Sequence, residues 1–238
     1  MKLAAAAYPM SFLESWDAYV RKLTDWVEDG KAQGADLLVF PEYGAMELAT
    51  LAGRATAGDL QASLQAVSDL VPKADALHAE LARKHGLHIL AASAPVYDDT
   101  LGTLPVNRAR FFAPSGDMGV QDKQIMTRFE REEWGVAGGG PLTVFDTSLG
   151  KIGILICYDS EYPLLARAMM DADLILVPSC TEAEHGYHRV RIGALARALE
   201  QQCVTVMVFF FDHLLEFSHV KLDIDHGVRF VFFVFWGL

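Results

Sequence analysis

Cysteine and positive charge are both scarce in this sequence of 238 residues. The three cysteines, Cys157, Cys180 and Cys203, are far apart and show no CxxC spacing. That pattern argues against a disulfide framework and favours reduced thiols in a cytoplasmic protein. The net charge is −11 and there is no Lys/Arg-rich run. Because nucleic-acid phosphates require a basic face, we expect no nucleic-acid partner.

Long hydrophobic runs are also absent. The N-terminal MKLAAAAYPMSF has a short apolar run that amphipathic sequence follows at once, so we interpret it as a strand and not as a signal peptide. The C-terminal VRFVFFVFWGL is shorter than the roughly 20 residues that span a bilayer, so we expect no membrane partner. Hydrophobic residues make up 52 % of the chain, which indicates a globular protein, and its length fits one α/β domain.

Strand and helix patterns alternate along the chain. Apolar strands such as ADLLVF and LHILAAS are separated by segments whose apolar residues recur at helical spacing. Two hairpins are also indicated, one in NRARFFAPSGDMGVQDK and one in LTVFDTSLGKIGILIC. Hairpins mixed with βα units favour a mixed sheet or two packed sheets over a purely parallel order.

Three predicted strands end on residues that can carry chemistry. LLVFPEYG leads to Glu42, GVQDKQ to Lys123 and ILICYD to Cys157. Sites in α/β proteins assemble in the loops beyond strand ends. If the three ends converge, Lys123 compensates the charge of a thiolate and Glu42 accepts the thiol proton. Taken singly, each residue also fits a common structural role: a core cysteine, a solvated lysine and a glutamate in a first helical turn.

Two carboxylates, Asp159 and Glu161, closely follow the cysteine, although nearby negative charge disfavours a thiolate. We expect them in the first turn of a helix formed by YPLLARAMMDA, where carboxylates interact favourably with the helix dipole. Their role is then structural, and Lys123 offsets their effect on the thiol.

Four phrases together resemble the nitrilase superfamily, the carbon–nitrogen hydrolases. They are LLVFPEYG, the pair DKQ and FEREEWG, GKIGILICYDSEYP and LARALEQQ, and they occur in the order and spacing of that family from about Lys2 to Val208. The cysteine phrase is the most specific of them. The resemblance implies an α/β fold, a four-layer αββα sandwich with mixed sheets. It also implies a hydrolase that needs no cofactor and that associates as a homodimer or higher homo-oligomer, with YPLLARAMMDA as part of the contact.

The resemblance also assigns catalytic residues. Glu42, Lys123 and Cys157 correspond to its catalytic triad, and Glu130 to a second glutamate that orients the substrate or the lysine. In the mechanism that follows, Glu42 takes the proton of the thiol. Lys123 and the backbone N–H of Tyr158 stabilise the oxyanion that forms when the thiolate attacks a carbonyl or nitrile carbon.

The segment after the predicted strand LILVPS contains two histidines in the phrase HGYH. No third metal ligand lies at a recognised distance from them, so we expect no metal. Because the segment follows a strand end, we expect Thr181, Glu182 and His185 to line the substrate pocket.

Amide hydrolysis is the function that the resemblance to this family favours. The substrate would be a small linear amide, converted to a carboxylic acid and ammonia through a cysteine thioester. A nitrilase or an N-carbamoyl amine hydrolase is the alternative within the enzymes. A catalytically inactive scaffold or binding protein is the alternative of another class, and the intact triad argues against it.

The C-terminal segment does not follow the family. We divide the chain into a hydrolase domain, residues 1–208, and an atypical tail, residues 209–238, that contains no recognisable family phrase. We expect the tail to reflect a truncated or frame-shifted reading frame and to leave the second sheet incomplete. An exposed apolar, β-prone segment favours aggregation, so we also expect low solubility and weak or absent activity.

Overall fold

A computed structural model describes residues 1–181 and 183–209, together with the backbone of residues 232–233. The first of its two sheets is mixed and has the strand order β1-β2-β3-β4-β5. Strands β1 (Leu3–Ala5), β2 (Leu37–Val39) and β3 (His88–Val96) are parallel. Strands β4 (Val106–Phe112) and β5 (Met118–Asp122) form an antiparallel hairpin next to β3, as NRARFFAPSGDMGVQDK predicts.

Helices cover the outer face of this sheet. They are α1 (Trp16–Ala32), the short α2 (Arg54–Ala57) and the long α3 (Leu60–His85). Ser15 and Asp59 accept backbone hydrogen bonds at the starts of α1 and α3, which satisfies N–H groups that have no partner within the helix. Apolar residues of α1 and α3 share one buried cluster with the first sheet.

The second sheet has the order β10-β9-β8-β7-β6. Strands β6 (Val144–Thr147) and β7 (Gly150–Ile154) form the second predicted hairpin. Strands β8 (Leu174–Ser179) and β9 (Val204–Phe209) continue the sheet in parallel with β7. The two-residue strand β10 (Phe232–Phe233) pairs in parallel with β9.

Two helices pack on this sheet, α4 (Pro163–Arg167) and α5 (Glu184–Gln201). Helix α4 is shorter than YPLLARAMMDA predicts. It begins at a proline, whose fixed φ suits a first helical position. After Arg167 the chain continues in tighter turns that bury Met169 against Gly153 of β7, where any larger residue would collide with the Met169 sulfur.

The two sheets pack face to face because successive strand residues point to opposite sides. In β2, Leu37 and Val39 belong to the cluster between the sheets, and Leu38 belongs to the cluster under α1 and α3. The rings of Phe111 and Phe145, one from each sheet, stack with centroids 5.5 Å apart. The layers therefore follow the order helices, sheet, sheet, helices, and the predicted αββα sandwich is confirmed.

No helix in the described part of the chain is both long and apolar enough to cross a membrane. Residues 210–231 and 234–238 lie outside the described residues. The division into residues 1–208 and 209–238, and the expected consequences of an atypical tail, therefore stay predictions.

Candidate active site

Glu42 lies three residues beyond β2 and is almost fully buried. The next residue, Tyr43, has a φ of 57°, in the left-handed region that non-glycine residues rarely adopt. Its backbone N–H donates to Ser93 Oγ at 2.9 Å, and its hydroxyl donates to Glu130 Oε1 at 2.8 Å. The turn that holds Glu42 is thus fixed by two hydrogen bonds that Tyr43 donates, one from its backbone and one from its side chain.

Lys123 joins the two glutamates of the site. It follows β5 directly, and its Nζ donates to Glu42 Oε1 at 2.7 Å and to both carboxylate oxygens of Glu130 at 2.8 and 2.9 Å. The Glu130 carboxylate also accepts from the backbone and hydroxyl of Thr127. All three charged side chains are buried, so one ammonium group lies between two carboxylates with little access to water.

The glycine-rich loop packs closely on the end of β5. A Cβ on Gly139 would come within 2.0 Å of the Cβ of Asp122, and one on Gly138 would come within 2.9 Å of the Gln124 carbonyl oxygen. Gly139 donates its N–H to the Lys123 carbonyl at 3.1 Å. The phrase GGGP, residues 138–141, is therefore a closely packed loop that supports the backbone of Lys123.

Cys157 follows β7 after two further apolar residues and begins a short 3₁₀ helix, Cys157–Glu161. Its φ of 49° is left-handed, a strained conformation that directs the side chain out of the strand line. The thiol donates to the carbonyl oxygen of Cys180 at a sulfur–oxygen distance of 3.9 Å, and it lies close enough to the Glu42 carboxylate to interact with it electrostatically. The predicted convergence of Glu42, Lys123 and Cys157 is thus present in the structure.

Burial and the Glu42 carboxylate raise the pKa of the Cys157 thiol well above its usual value. Lys123 acts in the opposite direction, as expected, but does not overcome them. The raised pKa favours the thiol over the thiolate. The Glu42 carboxylate interacts with this thiol and is therefore placed to accept its proton.

The pKa values of the two carboxylates of the site shift in opposite directions from their usual value. Burial raises the pKa of Glu42, against the lowering effect of Lys123. Burial also opposes the ionisation of Glu130, but Lys123 and Thr127 hold its pKa below the usual value. Burial lowers and the two glutamates raise the pKa of Lys123, with a net increase that keeps it charged. A pair of this kind provides a base in Glu42 and a permanent counter-charge in Glu130.

The expected placement of Asp159 and Glu161 was wrong. Helix α4 begins at Pro163, so neither residue lies in its first turn. Asp159 is instead buried, and its carboxylate accepts the backbone N–H groups of Gln124 at 3.1 Å and of Ile125 at 2.8 Å. Asp159 therefore joins the cysteine turn to the loop after Lys123.

Glu161 has a different environment from Asp159. It pairs with Arg189 of α5 at 3.2 Å, near the protein surface. Its nearest partner is therefore a helix on its own sheet and not the loop from the first sheet.

The other residues that the sequence predicts for the site are Tyr158, Thr181, Glu182 and His185. Tyr158 follows the cysteine in the first turn of the 3₁₀ helix, where backbone N–H groups have no acceptor within the helix. Thr181 is half-buried directly after Cys180, His185 is exposed in the first turn of α5, and Glu182 lies outside the described residues. Their predicted roles, an oxyanion contact and pocket lining, stay predictions.

The two acidic residues that follow Glu130 most closely are exposed, whereas Glu130 is buried. Glu132 and Glu133 are exposed, and Glu132 forms ion pairs with Arg128 and Arg131. Among the described residues, no group of three or more His, Cys, Asp or Glu side chains could hold a metal ion.

Sequence reasoning missed Asn107, which lies in the centre of the site. Its side-chain Nδ2 donates to Glu42 Oε1 at 3.0 Å and to Glu130 Oε1 at 3.4 Å. The sequence did contain a signal for it. In the β4–β5 hairpin, Phe112 pairs with Met118, and counting back along that register places Asn107 opposite Lys123. The Lys123 N–H does donate to the Asn107 carbonyl, at 2.9 Å.

A second missed group is the backbone N–H of Cys180, which donates to Glu42 Oε2 at 2.8 Å. It comes from the end of β8 in the second sheet, so Glu42 is held from both sheets. A backbone contact of this kind leaves no trace in residue identity. The whole arrangement is a nucleophile beside a base, with a cation that can stabilise negative charge.

Comparison with known proteins gives a consistent result. The sequence model of the carbon–nitrogen hydrolase family matches residues 2–212. A protein named probable hydrolase YhcX from Bacillus subtilis is 33 % identical over 210 residues, covering 87 % of this chain and 40 % of its own length. A deaminated glutathione amidase from Yersinia enterocolitica is 31 % identical over 137 residues, covering 52 % of this chain and 48 % of its own length. The chain thus spans less than half the length of each relative.

Solved structures share the fold. A carbon–nitrogen hydrolase from Helicobacter pylori superposes with a TM-score of 0.70 at 17 % identity, over 89 % of this chain and 73 % of that one. A mutant amidase from Nesterenkonia superposes with a TM-score of 0.66 at 20 % identity, over 88 % of this chain and 78 % of that one. Its active-site cysteine carries the product of Michael addition of acrylamide.

Proposed function

The chain belongs to the carbon–nitrogen hydrolase family, and we propose on that premise that it hydrolyses the C–N bond of a small linear amide. The observation that carries the proposal is the contact between the sheets. The Cys157 thiol of the second sheet lies beside the Glu42 carboxylate of the first and interacts with it electrostatically, and Lys123 Nζ donates to that carboxylate at 2.7 Å. A nucleophile, its base and a cation therefore meet at one buried point.

In the first half of the reaction, Glu42 takes the thiol proton as the sulfur of Cys157 attacks the carbonyl carbon. The C–S bond forms, and the electron pair of the C=O bond moves onto oxygen. Lys123 and the Tyr158 N–H stabilise that oxyanion, a contribution of about 3 kcal/mol for each well-placed donor. When the oxyanion collapses, the C–N bond breaks, Glu42 returns its proton to nitrogen, and ammonia leaves a thioester.

In the second half, water attacks the thioester carbon and gives a proton to Glu42. Collapse breaks the C–S bond, and Glu42 returns the proton to the departing sulfur. The sum is amide plus water to carboxylic acid plus ammonia. The raised pKa of Glu42 suits these transfers, because a carboxylate of higher pKa is the stronger base and its acid form is still able to donate.

The names of similar proteins support an amide substrate. The Yersinia relative is named an amidase, and the Nesterenkonia structure is of an amidase with a reactive cysteine. Thr181, Glu182 and His185 are the residues that we propose to line the pocket for a small-molecule amide, because they follow Cys180, whose N–H contacts Glu42.

The test is ammonia release from a panel of linear primary amides, nitriles and N-carbamoyl amines. We expect turnover of an amide by the wild-type protein, at a low rate if the tail leaves the second sheet incomplete, and none by Cys157→Ala. Preferential turnover of a nitrile or of an N-carbamoyl amine would replace the amide by that substrate class.

The reactivity of the Cys157 thiol distinguishes an enzyme from an inactive binding or scaffold protein. We expect iodoacetamide at neutral pH to label Cys157 faster than Cys180 or Cys203, although Cys180 is exposed and Cys157 is buried. Glu42→Gln should remove that preference, because the thiol then loses its proton acceptor. Labelling of Cys157 no faster than the other two thiols, without turnover of any substrate, would favour the scaffold. We also propose a cytoplasmic location, because three widely spaced cysteines without CxxC spacing are typical of reduced thiols.

We also propose that the chain forms a homodimer through α4 and α5. These helices and the turns after α4 expose Leu164, Met170, Ile192 and Leu199, each by more than 60 %. An apolar face of this kind can contact its copy across a two-fold axis. Sedimentation should give a dimer or higher oligomer for the wild type and a monomer for Ile192→Lys with Leu199→Lys; a monomeric wild type would refute the proposal.

A further inference from the structure

Asn107 forms hydrogen bonds with all three charged residues of the candidate site, Glu42, Glu130 and Lys123. Its side chain donates to Glu42 and Glu130, and its carbonyl accepts from the Lys123 N–H. The residue is fully buried at the start of β4, opposite Lys123. A neutral amide is thus enclosed among three ionised groups.

The orientation of the Asn107 amide is fixed by its neighbours. Two carboxylate oxygens need a donor, so the NH₂ group faces them, and the Oδ1 atom faces away. That oxygen is buried and has no hydrogen-bond partner among the described residues. A buried acceptor without a partner destabilises the folded protein. An apolar residue of the same shape would avoid this cost, so the donor is retained at the expense of stability.

The contacts of Glu42 show what the donor does. Oε1 accepts from Lys123 at 2.7 Å and from Asn107 at 3.0 Å, and Oε2 accepts from the Cys180 N–H at 2.8 Å. Three donors in different directions fix the plane of the carboxylate beside the Cys157 thiol. Without Asn107, the Oε1 side is held by the flexible lysine alone.

We propose that Asn107 is a positioning residue that holds the carboxylate of Glu42 in the plane from which it accepts the Cys157 proton. The inference rests on the proposed function and extends it. A neutral donor suits this task better than a second cation, because a cation would stabilise ionised Glu42 so strongly that it would be a poor base.

Several groups besides Asn107 determine the protonation of Glu42. Lys123 and the Cys157 thiol favour its ionised form, and Glu130 disfavours it. The carboxyl group of Asp159 also interacts with Glu42 through space, and the Tyr43 hydroxyl acts on it through Glu130. The substitutions below leave all five unchanged, so a shift in the pH profile reports the lost amide.

The test uses Asn107→Leu, which keeps the shape without the donor, and Asn107→Asp, which adds a third carboxylate. We expect kcat/KM of Asn107→Leu to fall by about 100-fold, the effect of one lost donor on the reacting groups. The acidic limb of its pH profile should move to higher pH, because a carboxylate that loses a donor has a higher pKa. Asn107→Asp should be slower still at neutral pH and should recover in part as the pH is lowered.

A second readout does not depend on the substrate. The rate of Cys157 alkylation by iodoacetamide should show the same shift to higher pH in Asn107→Leu. Suppose that the wild type hydrolyses none of the amides, while the pH dependence of Cys157 alkylation still differs between Asn107→Leu and the wild type. In that case the proposed substrate is wrong and the proposed role of Asn107 stands. If Asn107→Leu does not fold, the pH dependence of alkylation in Asn107→Asp carries the test.

Arg110→Met is the matched control on the same strand. Arg110 is equally buried, but its guanidinium pairs with Asp75 at 2.8 Å, away from the site. This variant should be less stable, yet its folded fraction should keep the wild-type pH profile. Wild-type pH profiles for turnover and alkylation in the Asn107 variants, or an equal shift in Arg110→Met, would overturn the proposal.

Discussion

The two sheets contribute to the site in opposite ways. The first sheet supplies charge: Glu42, Lys123 and Glu130 are joined to one another by hydrogen bonds of 2.7 to 2.9 Å. The second sheet supplies Cys157, whose φ is left-handed and whose sulfur makes a long contact of 3.9 Å with the Cys180 carbonyl. The charged groups are fixed by many side-chain contacts, and the nucleophile is fixed mainly by its backbone.

Burial explains this difference. A charge removed from water must recover its lost solvation from protein donors and acceptors, whereas a thiol is only weakly polar and loses little. Stability is therefore concentrated on the charged side, and strain on the nucleophile side. Substitutions in the two sheets should separate these properties, with large losses of stability only on the charged side.

The largest effect should come from Lys123→Met, which leaves two buried carboxylates without a cation. We expect the free energy of unfolding to fall by about 3–5 kcal/mol at neutral pH, together with all turnover. Chemical denaturation followed by circular dichroism measures this. A loss below about 1 kcal/mol would show that the charged side is not where stability is concentrated.

The pH dependence of the stability lost in Lys123→Met provides a more specific test. In the wild type, the pKa of Glu130 is held below its usual value, so its contribution is present above that value and is lost as the pH falls. Without Lys123, the hydrogen bonds from Thr127 alone oppose the effect of burial, so the same pKa rises. The difference between the proteins should thus be smaller at about pH 5 than at about pH 7.5. Lys84→Met, which breaks the exposed pair with Glu28, is the control and should cost less than about 0.5 kcal/mol.

Much of this arrangement could be predicted from the sequence. Hydrophobic periodicity and two turn signals predicted the strands and hairpins, and the strand ends pointed to Glu42, Lys123 and Cys157. Contacts that depend on strand register or on backbone groups could not be predicted so directly from the sequence. The Cys180 N–H has no residue-type signal, and the role of Asp159 depends on which loop of the other sheet lies opposite.

An intermediate effect is expected at Asp159, where the two sides of the site meet. Asp159→Ala would remove the acceptor of two partly buried backbone N–H groups, those of Gln124 and Ile125. We expect a loss of about 2 kcal/mol in unfolding free energy. Turnover should also decrease, because the loop after Lys123 is no longer joined to the cysteine turn. Glu161→Ala, two residues further on and near the surface, should change stability by less than about 0.5 kcal/mol.

Asp159 should also make the stability depend on pH. Burial raises its pKa from the usual 3.8 to about 7, against the effect of the backbone hydrogen bonds. The folded protein therefore prefers the protonated acid, and this contribution is largest below the usual pKa and is lost as the pH rises toward 7. Asp159→Asn keeps an acceptor oxygen but cannot ionise. Its stability should fall less than that of the wild type between about pH 4 and pH 7; an unchanged slope would contradict the assignment.

The smallest effect tests strain on the nucleophile side. Cys157→Ala and Cys157→Gly should both be inactive, but they should differ in stability. A left-handed φ of 49° is unfavourable for alanine and not for glycine, so the glycine variant should be the more stable by about 1 kcal/mol. The same pair at Cys203, a buried cysteine without a positive φ, should give the opposite order, because glycine loses more chain entropy on folding. If alanine is the more stable residue at both positions, the backbone at Cys157 is not strained, and the contrast between the two sheets is confined to charge.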